Sequence, residues 1–207
     1  MKKRKGARVR ARTLIFVLVS VVSLIVWTFA GAEQERDKKE IKPVLVVMDV
    51  QNIWMPRMAE EDRNAAPDKI NELISLFREF DQPVIRVYHS DPKHGPAPDT
   101  EPFEFPASIN ITDDDQKVVK SYASAFTKTD LDRILRESGR NTVFLCGLSA
   151  TGCVLATYFG ALDREFLVIM VEGTLLSHDA GYTKVIEDIC ASMTMEEVKE
   201  TLENPFL

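Results

Sequence analysis

The chain has 207 residues, 45% hydrophobic and 28% charged, which suits one folded domain with an accessory segment and excludes a disordered protein. The first 32 residues hold seven Lys or Arg and no acid, leaving 19 basic against 32 acidic side chains, about −13, in the remainder. A surface that acidic repels phosphate backbones and argues against a nucleic-acid partner.

From the N-terminus, the basic run (Lys2, Lys3, Arg4, Lys5, Arg8, Arg10, Arg12) is followed by Leu14 to Ala32, an uncharged stretch near the length that crosses a bilayer. It ends in Ala30-Gly31-Ala32, a small-x-small pattern that a signal peptidase could cut. Residues 1–32 are therefore expected to be a signal peptide or an N-terminal membrane anchor. Either keeps the basic end in the cytoplasm and exports the acidic domain to a periplasmic or other extracytoplasmic space, with the membrane touched only through this segment. Residues 33–42 are charged and lack apolar periodicity, so they read as a linker to a domain over 43–207.

Within that domain Val44 to Met48 is a short continuous apolar run, as expected of a strand buried on both faces. Ile70, Leu73, Ile74, Phe77 and Phe80 fall at helical spacing after Pro67-Asp68, which reads as the helix start. Pro83 to Tyr88 is a second strand and Lys117 to Val119 a further short one. Between them Ser90 to Asp115 is a loop with five prolines, Phe103 and Phe105, a candidate lid or substrate wall. Thr129 followed by Asp132 resembles a capping box for a helix with Leu131, Ile134 and Leu135 on its apolar stripe. Thr142 to Cys146 is a strand, Gly152 to Asp163 a helix and Phe166 to Val171 a strand, with helical patterns filling most of the rest to Leu202. This alternation predicts a three-layer α/β/α fold around a mainly parallel, Rossmann-like sheet, whose sites form at the carboxyl ends of the strands.

Those ends carry the reactive residues. Asp49 closes the first strand, where a charge needs a solvated crevice or a partner. Lys120 ends the run from Lys117. Cys153 follows the turn Gly147 to Gly152 at a helix start, where the dipole and the unpaired amides of Gly152 and Cys153 favour a thiolate and offer an oxyanion site. Three cysteines leave at least one thiol unpaired, and Cys146 and Cys190 read as small buried hydrophobes. Taken singly, Asp49 reads equally as a structural strand-end acid, Lys120 as a solvated lysine and Cys153 as a packed helix residue. His89 stands equally for a pocket residue or a strand cap.

A serine-hydrolase reading through Ser149, Asp163 and His178 is weak, because Gly147-Leu148-Ser149-Ala150-Thr151 is not Gly-x-Ser-x-Gly. Cys146 and Cys153 are too widely spaced for a Cys-x-x-Cys redox pair, and there is no Gly-rich phosphate loop.

Three segments in order resemble the isochorismatase-like cysteine hydrolases. Asp49-Val50-Gln51-Asn52 is similar to the family's Asp-x-Gln-Asn signature. Lys120 precedes Ser124-Ala125-Phe126 and Thr129-Asp130-Leu131 as the family's catalytic lysine does. Gly147 to Val154, with Ala156-Thr157 and Ala161-Leu162 beyond, resembles its nucleophile turn and helix. The resemblance implies that Asp49 is the general base, Cys153 the nucleophile and Lys120 the group holding both. It further implies an oxyanion hole in a turn of Leu148, Ser149 and Gly152 with a cis Leu148-Ser149 bond, and a substrate pocket with Gln51, Trp54, His89 and Phe126. The reaction implied is hydrolysis of a small amide, carbamoyl or imide C–N bond through a thioester, by a homo-oligomer without a cofactor. No metal is expected, because Trp54 to Asn64 lacks the Asp-x-His motif of the nicotinamidases and His89 and His94 are poorly spaced as ligands. Alternatives are vinyl-ether hydrolysis of an isochorismate-like compound, or a non-catalytic binding protein on the same scaffold.

Overall fold

The computed structural model describes residues 40–206 except 92 and 94, among which Ile41–Pro205 form one compact unit. The expected leader or anchor and most of the linker lie outside the described residues, as does His94. Among the described residues no helix is long and apolar enough to cross a membrane.

In chain order the unit comprises β1 (Pro43–Met48), α1 (Glu60–Glu79), β2 (Val84–His89), β3 (Gln116–Lys120), α2 (Leu131–Glu137) and β4 (Thr142–Leu148). A π turn (Ala150–Val154) leads into α3 (Leu155–Leu162), followed by β5 (Leu167–Leu176), α4 (Ala180–Ile189), β6 (Ser192–Met193) and α5 (Met195–Glu203). The six strands are ordered β3-β2-β1-β4-β5-β6 and every pairing is parallel. The predicted three-layer fold is the one observed. Chain order reverses between β1 and β4, and that reversal opens the crevice where α/β sheets take ligands.

The alternation of side chains along each strand divides the core in two. Leu45 and Val47 pack with Ile70, Leu73, Ile74 and Phe77 of α1 and Val198 and Leu202 of α5. Val44, Val46 and Met48 point the other way, toward Leu131 and Leu135 of α2, Tyr158 and Ala161 of α3 and Ile186 of α4. Each large apolar side chain so buried contributes about 1.5–3 kcal/mol relative to exposure, which is why a six-residue strand such as β1 tolerates no polar residue.

Two local expectations are corrected, and a third is narrowed. Helix α1 begins at Glu60, and Pro67 lies inside it. Glu60, Glu61 and Asp62 favour the positive end of the helix dipole, and the missing Pro67 N–H costs one internal bond that the apolar stripe outweighs. The Thr129–Asp132 box does not form: Asp130 caps α2 without a side-chain bond, while the Thr129 hydroxyl donates to the Ala125 carbonyl. The loop over 90–115 is fastened to the core. Phe103 and Phe105 pack on Tyr88, and the Asn52 and Ile53 amides donate to the Glu104 and Pro102 carbonyls. Its aromatic residues prefer burial to solvent, so this part of the segment reads as a wall rather than a swinging lid.

Candidate active site

β1 ends because Asp49 turns into the left-handed region, with φ 51°, a conformation that aspartate tolerates better than bulkier residues. The turn directs its carboxylate into the crevice, where the residue is only 2% exposed. Lys120, 1% exposed, reaches it from β3 with Nζ 2.7 Å from Oδ2. The same ammonium donates to Cys153 Sγ at 3.2 Å and lies 2.9 Å from His89 Nδ1. Asp49 Oδ1 is buried without a hydrogen-bond partner among the described residues. Burial raises the Asp49 pKa, and the Lys120 charge with hydrogen bonds from Lys120 and Cys153 opposes that rise, so the group is an ionisable base beside the thiol.

Cys153 is carried on the π turn. The Leu148–Ser149 bond before it is cis, as the resemblance implies, and the Ser149 carbonyl accepts from the amides of Gly152 (2.9 Å) and Val154 (3.2 Å). The Gly152 amide is therefore already engaged, which corrects its expected place among the oxyanion donors. Glycine is required at Gly147, where φ is 107° and a Cβ would stand 2.2 Å from the Met48 carbonyl oxygen. This close approach brings the end of β4 against the end of β1, so the thiol's turn and the carboxylate share one crevice.

Burial first, then the Asp49 carboxylate, push Cys153 up to about 11, while Lys120 pulls it down. That corrects the expected thiolate-favouring helix start, because a partly buried sulfur beside a carboxylate outweighs the helix end. All three cysteines are free, and burial pushes Cys146 up much further.

Two expected pocket residues have other parts. Gln51 is fully buried: its carbonyl oxygen accepts from the His89 amide at 2.8 Å, and its Nε2 donates to the carbonyls of His89 (3.1 Å) and Phe103 (2.7 Å). With its donors engaged it ties β1 to β2 and the loop wall instead of meeting substrate. Phe126 is 4% exposed and packs on Phe166 with the Arg164 guanidinium over its ring, in the core under α3. Trp54 and His89 stay together, with rings edge-on at 6.0 Å.

Donor atoms of Asp49, His89 and Cys153 lie within 4.8 Å of one another, a set with the chemistry to hold a metal ion. The Lys120 ammonium is within hydrogen-bond distance of all three and supplies the positive charge there. A divalent ion at that point would have to displace it, so the residues do not fit a metal.

A family model for the isochorismatase domain matches residues 43–205. The chain belongs to the isochorismatase family. This isochorismatase-family hydrolase is similar to the isochorismatase family protein YddQ of Bacillus subtilis (strain 168), 28% identical over 157 residues, 73% of this chain and 79% of that protein. Among solved structures it resembles N-carbamoylsarcosine amidase from Thermoplasma acidophilum, with TM-score 0.65 and 28% identity over 74% of this chain and 95% of that one. An isochorismatase-like hydrolase from Alkaliphilus metalliredigens shares the fold at TM-score 0.72 and 22% identity, covering 79% and 92% of the two chains.

Proposed function

We propose that this family member is a cysteine hydrolase that cleaves a small amide, carbamoyl or imide C–N bond through a thioester. The observation that carries the reading is the Lys120 ammonium standing 2.7 Å from the Asp49 carboxylate and 3.2 Å from the Cys153 sulfur. Similarity to an N-carbamoylsarcosine amidase supports the C–N bond class.

In the first half-reaction Asp49 takes the Cys153 proton as sulfur attacks the substrate carbonyl carbon. Burial raises the carboxylate as well as the thiol, and a raised carboxylate is a stronger base than an exposed one. The carbonyl oxygen gains charge and is stabilised by main-chain amides of the turn, with those of Ser149 and Cys153 the candidates once Gly152 is set aside. Collapse of the tetrahedral adduct breaks the C–N bond, and the nitrogen leaves with the proton held by Asp49. In the second half-reaction Asp49 takes a proton from water, hydroxide adds to the thioester, and the C–S bond breaks to release a carboxylic or carbamic acid. The sulfur then recovers its proton. Lys120 keeps its charge throughout and offsets the negative charge that passes between sulfur and carboxylate.

Ammonia release from a panel of primary amides, ureas and carbamoyl compounds tests the reading. Cys153→Ala is expected to lower turnover by at least about 10⁴-fold while the melting temperature stays close to wild type. Turnover of the panel by Cys153→Ala at the wild-type rate would remove the sulfur from the reaction and favour vinyl-ether hydrolysis. A folded wild-type protein with no turnover on any member would favour a binding role.

A further inference from the structure

Strand order makes the position of Lys120 a problem that Asp49 and Cys153 alone do not solve. Lys120 ends β3 and Asp49 follows β1, yet β2 lies between those strands. Neighbouring strands are about 4.8 Å apart, so the lysine side chain has to cross the end of an intervening strand, roughly 10 Å in all. The residue it crosses is His89, the last of β2, which the β2–β3 register places directly beside Lys120.

An ammonium has three N–H donors and no acceptor. Asp49 Oδ2 and Cys153 Sγ can take two of them, and His89 Nδ1, at 2.9 Å, is a third atom within hydrogen-bond distance. For that contact to be attractive the ring must present a lone pair at Nδ1 and carry its proton on Nε2. Burial first and the Lys120 charge second lower the His89 pKa, against the opposing carboxylates of Asp49 and Asp91, so the ring stays neutral and Nδ1 stays an acceptor. The imidazole is itself held in place. Gln51 clamps the His89 main chain on both its amide and its carbonyl, and the Trp54 ring lies against it edge-on.

We propose that His89 is the positioning residue for Lys120: its Nδ1 lone pair accepts the third ammonium proton and so keeps the other two aimed at the Asp49 carboxylate and the Cys153 sulfur. Gln51 acts one step further out, by fixing the main chain that presents His89. The inference concerns the same site, and only its consequence for turnover rests on the nucleophilic reading. A buried ammonium lacking one partner pays the desolvation of an unmet donor and turns toward whatever acceptor remains, here the carboxylate. The sulfur then loses its cationic neighbour and holds its proton more tightly.

The test reads sulfur ionisation without a substrate. Cys153 in the full chain is alkylated with iodoacetamide over a pH series and the label is followed by mass spectrometry, for wild type, His89→Leu, His89→Asn and His89→Gln. His89→Leu is expected to label Cys153 about 10-fold more slowly at pH 8, a shift of roughly one pH unit in the profile. His89→Asn, whose Oδ1 falls where Nδ1 was, restores labelling to within about twofold of wild type. His89→Gln carries its oxygen past that point and is expected to stay slow. Wild-type labelling in His89→Leu overturns the proposal, as does equally slow labelling in the Asn and Gln variants when both melt at the wild-type temperature. If His89→Leu does not fold, the comparison of Asn with Gln decides alone. A failed rescue combined with an inactive Cys153→Ala would remove only the role of His89, whereas an active Cys153→Ala would remove the nucleophile and leave the labelling result standing.

Discussion

Two aspartates are buried in this domain, and their surroundings give them opposite characters. Asp62, in the first turn of α1, accepts from the Ser177 amide at 2.9 Å and from the Thr183 hydroxyl at 2.7 Å. Its partners are neutral, fixed and drawn from β5's far end and α4, so the carboxylate serves as a rivet between elements. Asp49 has a charged partner, the Lys120 ammonium 2.7 Å from Oδ2, with the Cys153 thiol beside it. Acceptors met by fixed neutral donors hold a fold together, whereas a carboxylate set between an ammonium and a thiol is arranged for proton transfer.

The sharpest way to break that contrast is a pair of isosteric substitutions. Asp49→Asn is expected to reduce kcat by about 10³-fold or more, within the range for loss of a general base, with a small change in melting temperature. Asp62→Asn is expected to retain most of kcat and to lose about 1–3 kcal/mol of stability in urea unfolding. Equal losses of turnover in both, without a stability difference, would erase the distinction.

Gly147→Ala tests whether the strand junction supports the Asp49 side alone. A methyl group 2.2 Å from the Met48 carbonyl oxygen has to push β1 from β4, and a loss of about 3 kcal/mol in thermal or urea unfolding is expected. Unchanged stability would mean that the two strand ends are not held at this spacing.

A finer test uses the thiol as a probe of the Asp49 charge. The carboxylate raises the Cys153 pKa, so Asp49→Asn should lower it below about 11 and speed iodoacetamide labelling at pH 8 even as hydrolysis is lost. Lys120→Met should act in the opposite sense, because the ammonium lowers that pKa. Slower labelling in Asp49→Asn would contradict the electrostatic account. The smallest effect is expected at the rivet: Thr183→Val removes one neutral donor to Asp62, for about 1 kcal/mol of stability and no change in labelling.

Much of this was legible along the chain. Apolar runs too short for helices marked the strands, and the charge at the end of the first, Asp49, stood out because a strand buried on both faces does not carry charge without a partner. The parts misread were those set by neighbours in space. Pro67 resembles a helix start until the acidic turn before it is seen to continue the same helix. Gln51 and Phe126 resemble pocket residues until the main-chain groups and aromatic packing that engage them are known. The free amide assigned to Gly152 meets a carbonyl three residues back in a turn that spacing does not reveal.

The sequence by itself determined the layers and their contents, because periodicity and side-chain chemistry are local properties: which segments are strands, which faces are apolar, and which acid, amine and thiol stand at strand ends. Tertiary structure alone decided how those groups interact. Placing β2 between β3 and β1 carries Lys120 past His89 to Asp49, and the depth of the crevice raises both the thiol and the carboxylate. Distance and burial set a proton's preference among neighbours, and both are properties of the assembled sheet rather than of any one segment.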